Sequence, residues 1–322
     1  MLDLELLKKI DDYYSDIEKS GGLIPYSRFV IKIKAVLSFV VWGTSFSEYF
    51  GYRFWEKSFK EKKTYMTRRY MFKFFDRYNP PEYRERIGDK SVAPDYYGEF
   101  LQREQFEKKD GFDIFKKFCK KYKKIFIKKK IGWGGEEASA LEVFDDDSIN
   151  NAWNKLSDAF VAEPLIENCK EIKALYPDSL NTIKVTVLMV NNCPEIEYAL
   201  FRLGNATCVD NVHLGGIGCG VNIKTGRVET AAYDKHFRAY TEHPITQKRI
   251  LDFQIPQWDS VKAFALNAAK VTPQLRYTSW DIAVTERGPI LLEGNWDAEF
   301  YAEQMIYNCG NRKKFVDKLE NR

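Results

Sequence analysis

Three acidic or amide residues interrupt an apolar hairpin late in this 322-residue chain. The stretch "WDIAVTERGPILLEGN" (residues 280–295) contains two apolar segments joined by a turn with Gly288 and Pro289, which predicts two antiparallel strands. Asp281 stands near the start of the first strand, and Glu293 and Asn295 stand near the end of the second. These strand ends are neighbours in a hairpin, and residues two apart share a face, so the three side chains should converge.

This convergence indicates a metal site. Asp and Asn are poor strand formers, and burying a carboxylate among Ile and Leu is costly unless something pairs with it. Carboxylate and amide oxygens are ligands that Mg²⁺ accepts while keeping other positions open for phosphate. Without metal, Asp281 and Glu293 would be like charges held close together, and this repulsion raises the pKa of one of the two carboxyl groups. The alternative is a polar cluster at a sheet edge whose members satisfy one another.

The composition indicates a folded chain of roughly two domains, with 44% hydrophobic and 15% aromatic residues. Lys and Arg exceed Asp and Glu by only 50 to 46, which is weak support for a nucleic-acid partner. The six cysteines include no CxxC pair, which argues against a zinc ribbon or a disulfide scaffold. The start "MLDLELLKK" does not resemble a signal peptide, so a cytoplasmic location is expected.

One apolar run allows two interpretations. "AVLSFVVWG" (residues 35–43) has nine residues, about half of what a membrane span needs. It predicts either a buried helix or a helix in shallow contact with a membrane surface, helped by Lys32, Lys34 and nearby aromatic residues.

The chain divides into three regions. Residues 1–85 are helical, aromatic and basic in character and end at the "NPP" break. Residues 86–160 predict a helix-rich segment followed by one strand and a turn. There "FDIFKKFCKKYKKIFIKKK" spaces aromatic residues as a helix does, with lysines on a solvated face or, alternatively, binding nucleic acid. Residues 161–322 contain short β-rich segments and one helix, "DSVKAFALNAAKV", which predicts an α+β fold with an antiparallel sheet.

Two further stretches suit a nucleotide. "IFIKKKIGWGGEEASA" (residues 125–140) is a strand ending in lysine and followed by a glycine turn, whose backbone N–H groups could cover phosphates. "FVAEPLIEN" is an apolar strand interrupted by Glu163 and Glu167, which could offer backbone groups to a base and a carboxylate to ribose. An ordinary strand with solvent-facing acids is the alternative for the second stretch.

The order of these features resembles the ATP-grasp superfamily, which includes D-alanine–D-alanine ligases and biotin carboxylases. The sequence is more similar to the sugar-transfer-associated ATP-grasp proteins, in "SLNTIKVTVL", "VDNVHLGGIGCGVN", "IPQWD", "LRYTSWDIAV" and "GPILLEGNWD". The likeness covers roughly residues 120–300. It implies an ATP-grasp fold, with two α+β subdomains gripping ATP. Residues 86–160 would form the small subdomain with the phosphate loop, and residues 161–322 the large one with the hinge and metal site, behind a helical region at 1–85.

The resemblance also implies roles for individual residues. The cofactor-binding set would be Lys90, Lys128, Gly134, Gly135, Glu163 and Glu167. The catalytic set would be Asn181, Lys184 and Arg202, and the Mg²⁺ ligands would be Asp281, Glu293 and Asn295.

The sequence departs from the family pattern at two of these positions. Lys129 follows Lys128 where the family usually has proline, and Lys184 replaces an arginine, keeping the charge without the bidentate fork. His213 would either line the site or lie in the core.

The activity implied by the resemblance is an ATP- and Mg²⁺-dependent, ADP-forming ligation of a carboxylate to an amine through an acyl phosphate. The substrates would be small molecules, with a sugar precursor of a surface polysaccharide among them. Two alternatives stay open: a phosphotransferase on the same fold, and a non-catalytic binding or interaction protein that uses the basic amino-terminal half.

Overall fold

The computed structural model describes residues 4–132, 138–206 and 209–320. Its first hundred residues are helical, with the bounds α1 (Leu4–Lys19), α2 (Arg28–Trp42), α3 (Phe46–Gly51), α4 (Phe59–Lys62), α5 (Arg68–Tyr78), α6 (Pro81–Gly88) and α7 (Ala93–Leu101). None of the helices in the described ranges is long and apolar enough to cross a membrane.

A small antiparallel sheet follows these helices. Its strands are β1 (Phe106–Glu107), β2 (Lys124–Lys129), β3 (Ser139–Glu142) and β4 (Phe160–Pro164), in the order β1-β4-β2-β3. The helices α8 (Phe112–Tyr122) and α9 (Asp146–Lys155) pack on it. The aromatic spacing in α8 places Phe115 and Phe118 against the sheet, as predicted. The expectation of one strand between residues 86 and 160 was wrong, because short strands pair with β2 on both sides.

The second half of the chain forms a larger antiparallel sheet. Its order is β11-β10-β5-β6-β7-β8-β9, which confirms the predicted α+β class. The strands are β5 (Thr182–Val190), β6 (Cys193–Leu203), β7 (Ile217–Gly220), β8 (Ala232–Tyr233), β9 (Ala239–Tyr240), β10 (Tyr277–Thr285) and β11 (Gly288–Asn295). The helices are α10 (Lys170–Lys173), α11 (Trp258–Val271), α12 (Tyr301–Ile306) and α13 (Arg312–Leu319).

The predicted hairpin is formed by β10 and β11. Asp281 lies directly opposite Glu293, and the register shifts immediately after Asp281. Gly288 adopts a φ of 129° at the turn, in the region that favours glycine. A Cβ on Gly294 would stand 2.6 Å from the ring of Trp280, so the absence of a side chain lets this buried ring pack on the backbone of β11.

The packing of the side chains places the boundaries between regions at other residues than the sequence predicts. Ile87, Tyr97 and Leu101, from α6 and α7, are buried with Trp280 in the core of the large sheet. Strand β4, by contrast, pairs within the small sheet. The predicted boundaries at 85/86 and 160/161 therefore shift: residues 86–101 pack with the large sheet, and the small sheet continues to Pro164.

Helix α2, which contains the long apolar run, has two unlike faces. Ile31, Ala35, Ser38 and Trp42 are buried against the other amino-terminal helices. The opposite face is exposed to solvent. The buried-helix interpretation is therefore correct for one face only.

Asn79, in the "NPP" break, joins the helical region to the hairpin, and its replacement tests that link. Its fully buried amide donates to the carbonyls of Tyr277 (2.8 Å) and Trp296 (2.6 Å) and accepts from the Tyr277 N–H (3.0 Å). Asn79→Ala leaves these buried groups unpaired, so we expect a loss of about 2–4 kcal/mol, measured by urea unfolding. The exposed Asn150→Ala should cost less than about 0.5 kcal/mol. Equal effects would contradict the bridging role of Asn79.

Candidate functional site

A cavity of about 300 Å³ lies between the two sheets. Its walls come from β2, the segment after β4, and strands β5, β6, β10 and β11. The lining contains both charged and apolar side chains. The charged residues are Lys90, Lys128, Lys129, Glu163, Glu167, Lys173, Asp178, Arg202, Asp210, Asp281 and Glu293, and the apolar ones include Phe126, Ala140, Leu165, Ile166 and Leu292.

Glu163 is the centre of a buried ion-pair cluster on the small-sheet side. Its Oε2 lies 2.8 Å from Lys128 Nζ and 3.0 Å from Arg103 Nε, and its Oε1 accepts hydrogen bonds from Arg103 and Gln105. Burial raises the pKa of Glu163, but the two cations outweigh burial and lower it to about 2. Burial lowers the pKa of Lys128, and Glu163 offsets part of that effect. Glu163 is therefore ionised at neutral pH and fully engaged.

The same cations reach across to the large sheet. Arg103 Nη2 donates to the Leu292 carbonyl at 3.0 Å, and Arg103 Nη1 donates to the Leu291 carbonyl. Lys128 Nζ donates to the Leu292 carbonyl at 3.4 Å. The cluster around Glu163 thus connects β2 and β4 of the small sheet to β11 of the large one.

Asp281 and Glu293 face each other on the large-sheet side, each beside its own cation. Asp281 Oδ2 lies 2.8 Å from Arg202 Nη2, and Glu293 Oε2 lies 3.2 Å from Lys90 Nζ. Burial raises the pKa of Asp281; Arg202 opposes this effect and Glu293 adds to it. Burial would also raise the pKa of Glu293, but Lys90 and Lys128 outweigh burial and lower it. The expected pKa increase in this pair therefore falls on Asp281.

The donor set fits a hard cation. Asp281 Oδ1 is buried, and no hydrogen-bond partner for it occurs among the described residues. Asn295 lies opposite Ser279, two residues beyond Glu293 and so on the same face of β11, although it is outside the cavity lining. The described ranges contain no group of three or more His, Cys, Asp or Glu that could hold a metal. A metal site here would consist of two carboxylates and an amide oxygen, as the sequence predicts.

Arg202 is held from three directions. Its Nε and Nη2 donate to Thr182 Oγ1 at 3.0 and 2.8 Å, and its Nε lies 3.6 Å from Asp210 Oδ2. The Thr182 hydroxyl in turn donates to Asp210. Burial opposes the charge of Arg202, but Asp210 and Asp281 outweigh burial and raise its pKa. Thr182, Asp210 and Asp281 together fix the position of the guanidinium.

Sequence comparison assigns the chain to a family. The profile of a family described as sugar-transfer associated ATP-grasp matches residues 71–320. The chain belongs to this family. A comparison with functionally curated protein sequences gives no match.

Solved ATP-grasp structures are similar at low identity. The ATP-grasp ligase PsnB, complexed with a phosphomimetic variant of a minimal precursor, Mg and ADP, is 13% identical with a TM-score of 0.47. The alignment covers 78% of this chain and 65% of PsnB. D-alanyl-alanine synthetase A from Vibrio cholerae is 12% identical, with a TM-score of 0.44 and coverage of 73% and 64%. The D-alanine-D-alanine ligase from Coxiella burnetii is 13% identical, with a TM-score of 0.44 and coverage of 73% and 56%.

Several of the cofactor-binding residues expected from the sequence line the cavity. Lys90 and Lys128 line the cavity, and so does the segment from Pro164 to Glu167. The exposed carboxylate of Glu167 is 2.8 Å from Lys173 Nζ, whereas that of Glu163 is already taken by Arg103 and Lys128. Gly134 and Gly135, the expected phosphate-loop glycines, lie outside the described residues.

Two expected catalytic residues stand apart from the cavity lining. Lys184 lies opposite Asp281 on the neighbouring strand, and its Nζ is 3.5 Å from Glu303 Oε1. Asn181 is fully buried: its amide oxygen accepts from Ser179 and from the Gly204 N–H, and its NH₂ donates to the Tyr176 carbonyl. The Asn181 amide therefore shapes the turn before β5, and a catalytic role for it stays a prediction.

His213 does not lie in the core, which was one of its two expected positions. Its side chain is 62% exposed, and Nε2 lies 3.7 Å from Glu299 Oε2. The interpretation of His213 as a core histidine was wrong.

Two charged residues of the cavity network were missed from the sequence. Asp210 stands inside the quoted motif "VDNVHLGG", where a carboxylate before a glycine loop was a usable signal. Arg103, in "LQREQF", has no local pattern that marks it.

The Glu163 cluster generates a prediction about acid stability. A carboxyl whose pKa is lowered from 4.5 to about 2 stabilises the fold fully above pH 4.5, and this contribution is lost as pH falls through 2. Glu163→Gln should therefore cost roughly 3 kcal/mol at pH 7, and its difference from the wild type should narrow below pH 4.5. Urea unfolding at several pH values measures this. Glu167→Gln, which alters an exposed pair, is the control and should have little effect. If the difference in unfolding free energy between Glu163→Gln and the wild type stays constant between pH 5 and pH 3, the lowered pKa of Glu163 is contradicted.

Proposed function

We propose that this protein is an ATP- and Mg²⁺-dependent ligase that joins a carboxylate to an amine through an acyl phosphate, releasing ADP and phosphate. The observation that carries the proposal is the pair Asp281 and Glu293 facing Lys90, Lys128 and Arg202 along one cavity. Family membership supports ATP as a substrate, and the charged residues of the cavity support phosphoryl transfer.

The cavity has the two environments that a nucleotide requires. Lys90, Lys128 and Arg202 present positive charge to a polyphosphate. The apolar lining residues suit the faces of a base; they include Phe126, Ala140, Leu165, Ile166 and Leu292. The backbone after β4 also lines the cavity and would contact the base edge, although the Leu165 N–H already donates to the Lys124 carbonyl.

Asp281, Glu293 and Asn295 would hold the metal. Bound Mg²⁺ supplies neutralisation of the phosphate oxygens and fixes their orientation. Arg202, already oriented by Thr182 and Asp281, would offset charge on the phosphoryl group as it moves.

The proposed reaction has two steps and involves no covalent bond to the protein. A substrate carboxylate oxygen attacks the γ-phosphorus of ATP, and ADP leaves with the bridging oxygen and its electron pair. An amine nitrogen then attacks the acyl carbon, phosphate leaves, and the nitrogen loses a proton to give the amide. The two sheets around the cavity would exclude water from the acyl phosphate. The family description favours a sugar-linked precursor as one of the substrates.

Product analysis tests this function. The purified chain, ATP and Mg²⁺ are incubated with panels of carboxylates and amines, singly and together, and ADP and amide are measured. Amide formation that needs both substrates supports the ligase. A stable phosphorylated product without an amine requirement identifies a phosphotransferase instead, and absence of nucleotide binding in calorimetry identifies a non-catalytic protein.

Arg202→Ala should lower kcat by about a hundredfold with little change in nucleotide Kd, whereas the exposed Arg249→Ala should change neither.

Ligand-induced stabilisation tests the metal pair. Mg²⁺ with a non-hydrolysable ATP analogue should stabilise the wild type by about 2.7 kcal/mol at a hundredfold excess over Kd. Glu293→Gln removes a metal ligand, so most of this stabilisation should disappear. The midpoint without ligand should also fall, because the interactions with Lys90 and Lys128 that lower the pKa of Glu293 are lost, so the ligand-induced shift is compared within each variant. Thermal scans with and without ligand measure both quantities, with the exposed Glu242→Gln as the matched control. An undiminished ligand shift in Glu293→Gln would contradict the metal assignment.

A further inference from the structure

The outward face of α2 carries a continuous row of exposed apolar side chains, here called the apolar stripe. It consists of Phe29, Ile33, Leu37, Val40 and Val41, which are between 47% and 72% exposed. Their spacing of three and four residues places them on one side of the helix. Apolar side chains thus occupy the outward face as well as the buried face of α2, and an apolar helix face is normally enclosed by a core or by lipid.

Neighbouring helices extend the apolar surface. Phe59 of α4 is 64% exposed, and its ring lies 4.8 Å from that of Trp42 at the end of α2. Arg69 of α5 donates to the carbonyls of Phe39 and Val40, and Phe72, one turn further along α5, is also exposed. Contiguous exposed apolar surface of this kind marks an interaction site.

The charge around the stripe is strongly positive. Residues 28–73 contain eleven Lys and Arg against three Glu, an excess of eight, whereas the whole chain has a net charge of +4. The ammonium of Lys34 lies 4.4 Å from the ring centroid of Tyr26, and that of Lys63 lies 4.8 Å from the centroid of Phe59. Burial lowers the pKa of Lys62 and the charge of Lys34 lowers it further, so these two cations are close together. Within the described residues, Lys34, Lys62 and Lys63 have no acidic ion-pair partner.

We propose that α2 and α4 dock this protein onto the surface of an anionic lipid bilayer. The apolar stripe and Phe59 enter the boundary between headgroups and acyl chains, while Lys34, Lys62 and Lys63 contact anionic headgroups. This combination of an apolar face with flanking lysines is what interfacial helices use to bind anionic membranes.

The charge pattern distinguishes a bilayer from a second copy of the chain. A symmetric dimer through the stripe would place the same patch against itself. The unpaired lysines of one copy would then face those of the other, and like charges brought together oppose association. An anionic bilayer instead supplies the complementary charge. The inference does not depend on the proposed ligase activity.

Vesicle co-sedimentation of the full chain tests the proposal. Phosphatidylcholine vesicles with phosphatidylglycerol should bind the protein, pure phosphatidylcholine should bind it weakly, and added salt should reduce binding. Ile33→Gln/Leu37→Gln should weaken partitioning at least about tenfold. Lys34→Glu/Lys63→Glu should abolish the preference for phosphatidylglycerol. Ile245→Gln, at a 51% exposed apolar residue outside the stripe, is the control and should bind like the wild type.

Each variant is first compared with the wild type by circular dichroism and thermal midpoint, so that a loss of binding is not a loss of folding. Absence of binding by the wild-type chain to phosphatidylglycerol vesicles would overturn the proposal. So would binding that the stripe variant leaves unchanged. Self-association in sedimentation velocity that Ile33→Gln/Leu37→Gln abolishes, without vesicle binding, would replace the bilayer with a second copy of the chain.

Discussion

The junction between the two sheets depends on the carboxylate of Glu163 and the two cations that it holds. Arg103 and Lys128 are paired with this buried carboxylate, and both donate to backbone carbonyls of β11. Strand β11 is at the edge of the large sheet, so its outward carbonyls have no strand partner there. The cations satisfy these groups and cover an edge that would otherwise be free to pair. Removing the carboxylate would leave two buried positive charges facing each other, which makes the junction sensitive to a single side chain.

This junction also determines the electrostatics of the cavity. Lys128 is shared between Glu163 and the end of β11, where it acts with Lys90 to lower the pKa of Glu293. Arg202, on the other side, is shared by Asp210 and Asp281, so one guanidinium serves two carboxylates. Asp281 is therefore the less compensated member of the pair, and burial raises its pKa. A bound cation would stabilise its charged form more than that of Glu293.

The sequence predicted the features that depend on local pattern. Two apolar segments and the Gly-Pro turn predicted the β10–β11 hairpin, and the register brings Asp281 opposite Glu293, in line with the expected convergence. The aromatic spacing predicted α8. Features set by contacts between distant segments were missed, because no local pattern encodes them. Arg103 acquires its role only when Glu163, 60 residues later, folds beside it.

Contacts between distant segments also explain the shifted boundaries and the exposed face of α2. The helices α6 and α7 have no local signal that assigns them to the large sheet; the contact of Tyr97 with Trp280 does so. The apolar run in α2 correctly predicted a helix, but its sequence contains no information on which side the other amino-terminal helices would cover. Sequence alone therefore left both interpretations of that run open.

The charges in and beside the cavity balance one another. Four cations, Lys90, Arg103, Lys128 and Arg202, match four carboxylates, Glu163, Asp210, Asp281 and Glu293. Each of these carboxylates lies beside at least one of the cations, so the eight groups leave no large net charge in the partly dry site. A metal–polyphosphate complex brings both signs together. Under the proposed function, a metal would take Asp281 and Glu293 while phosphates would take Lys90 and Arg202, so binding would exchange partners without adding uncompensated charge. The deeper pair of Glu163 with Arg103 has no part in this exchange, and it can hold the sheets together throughout.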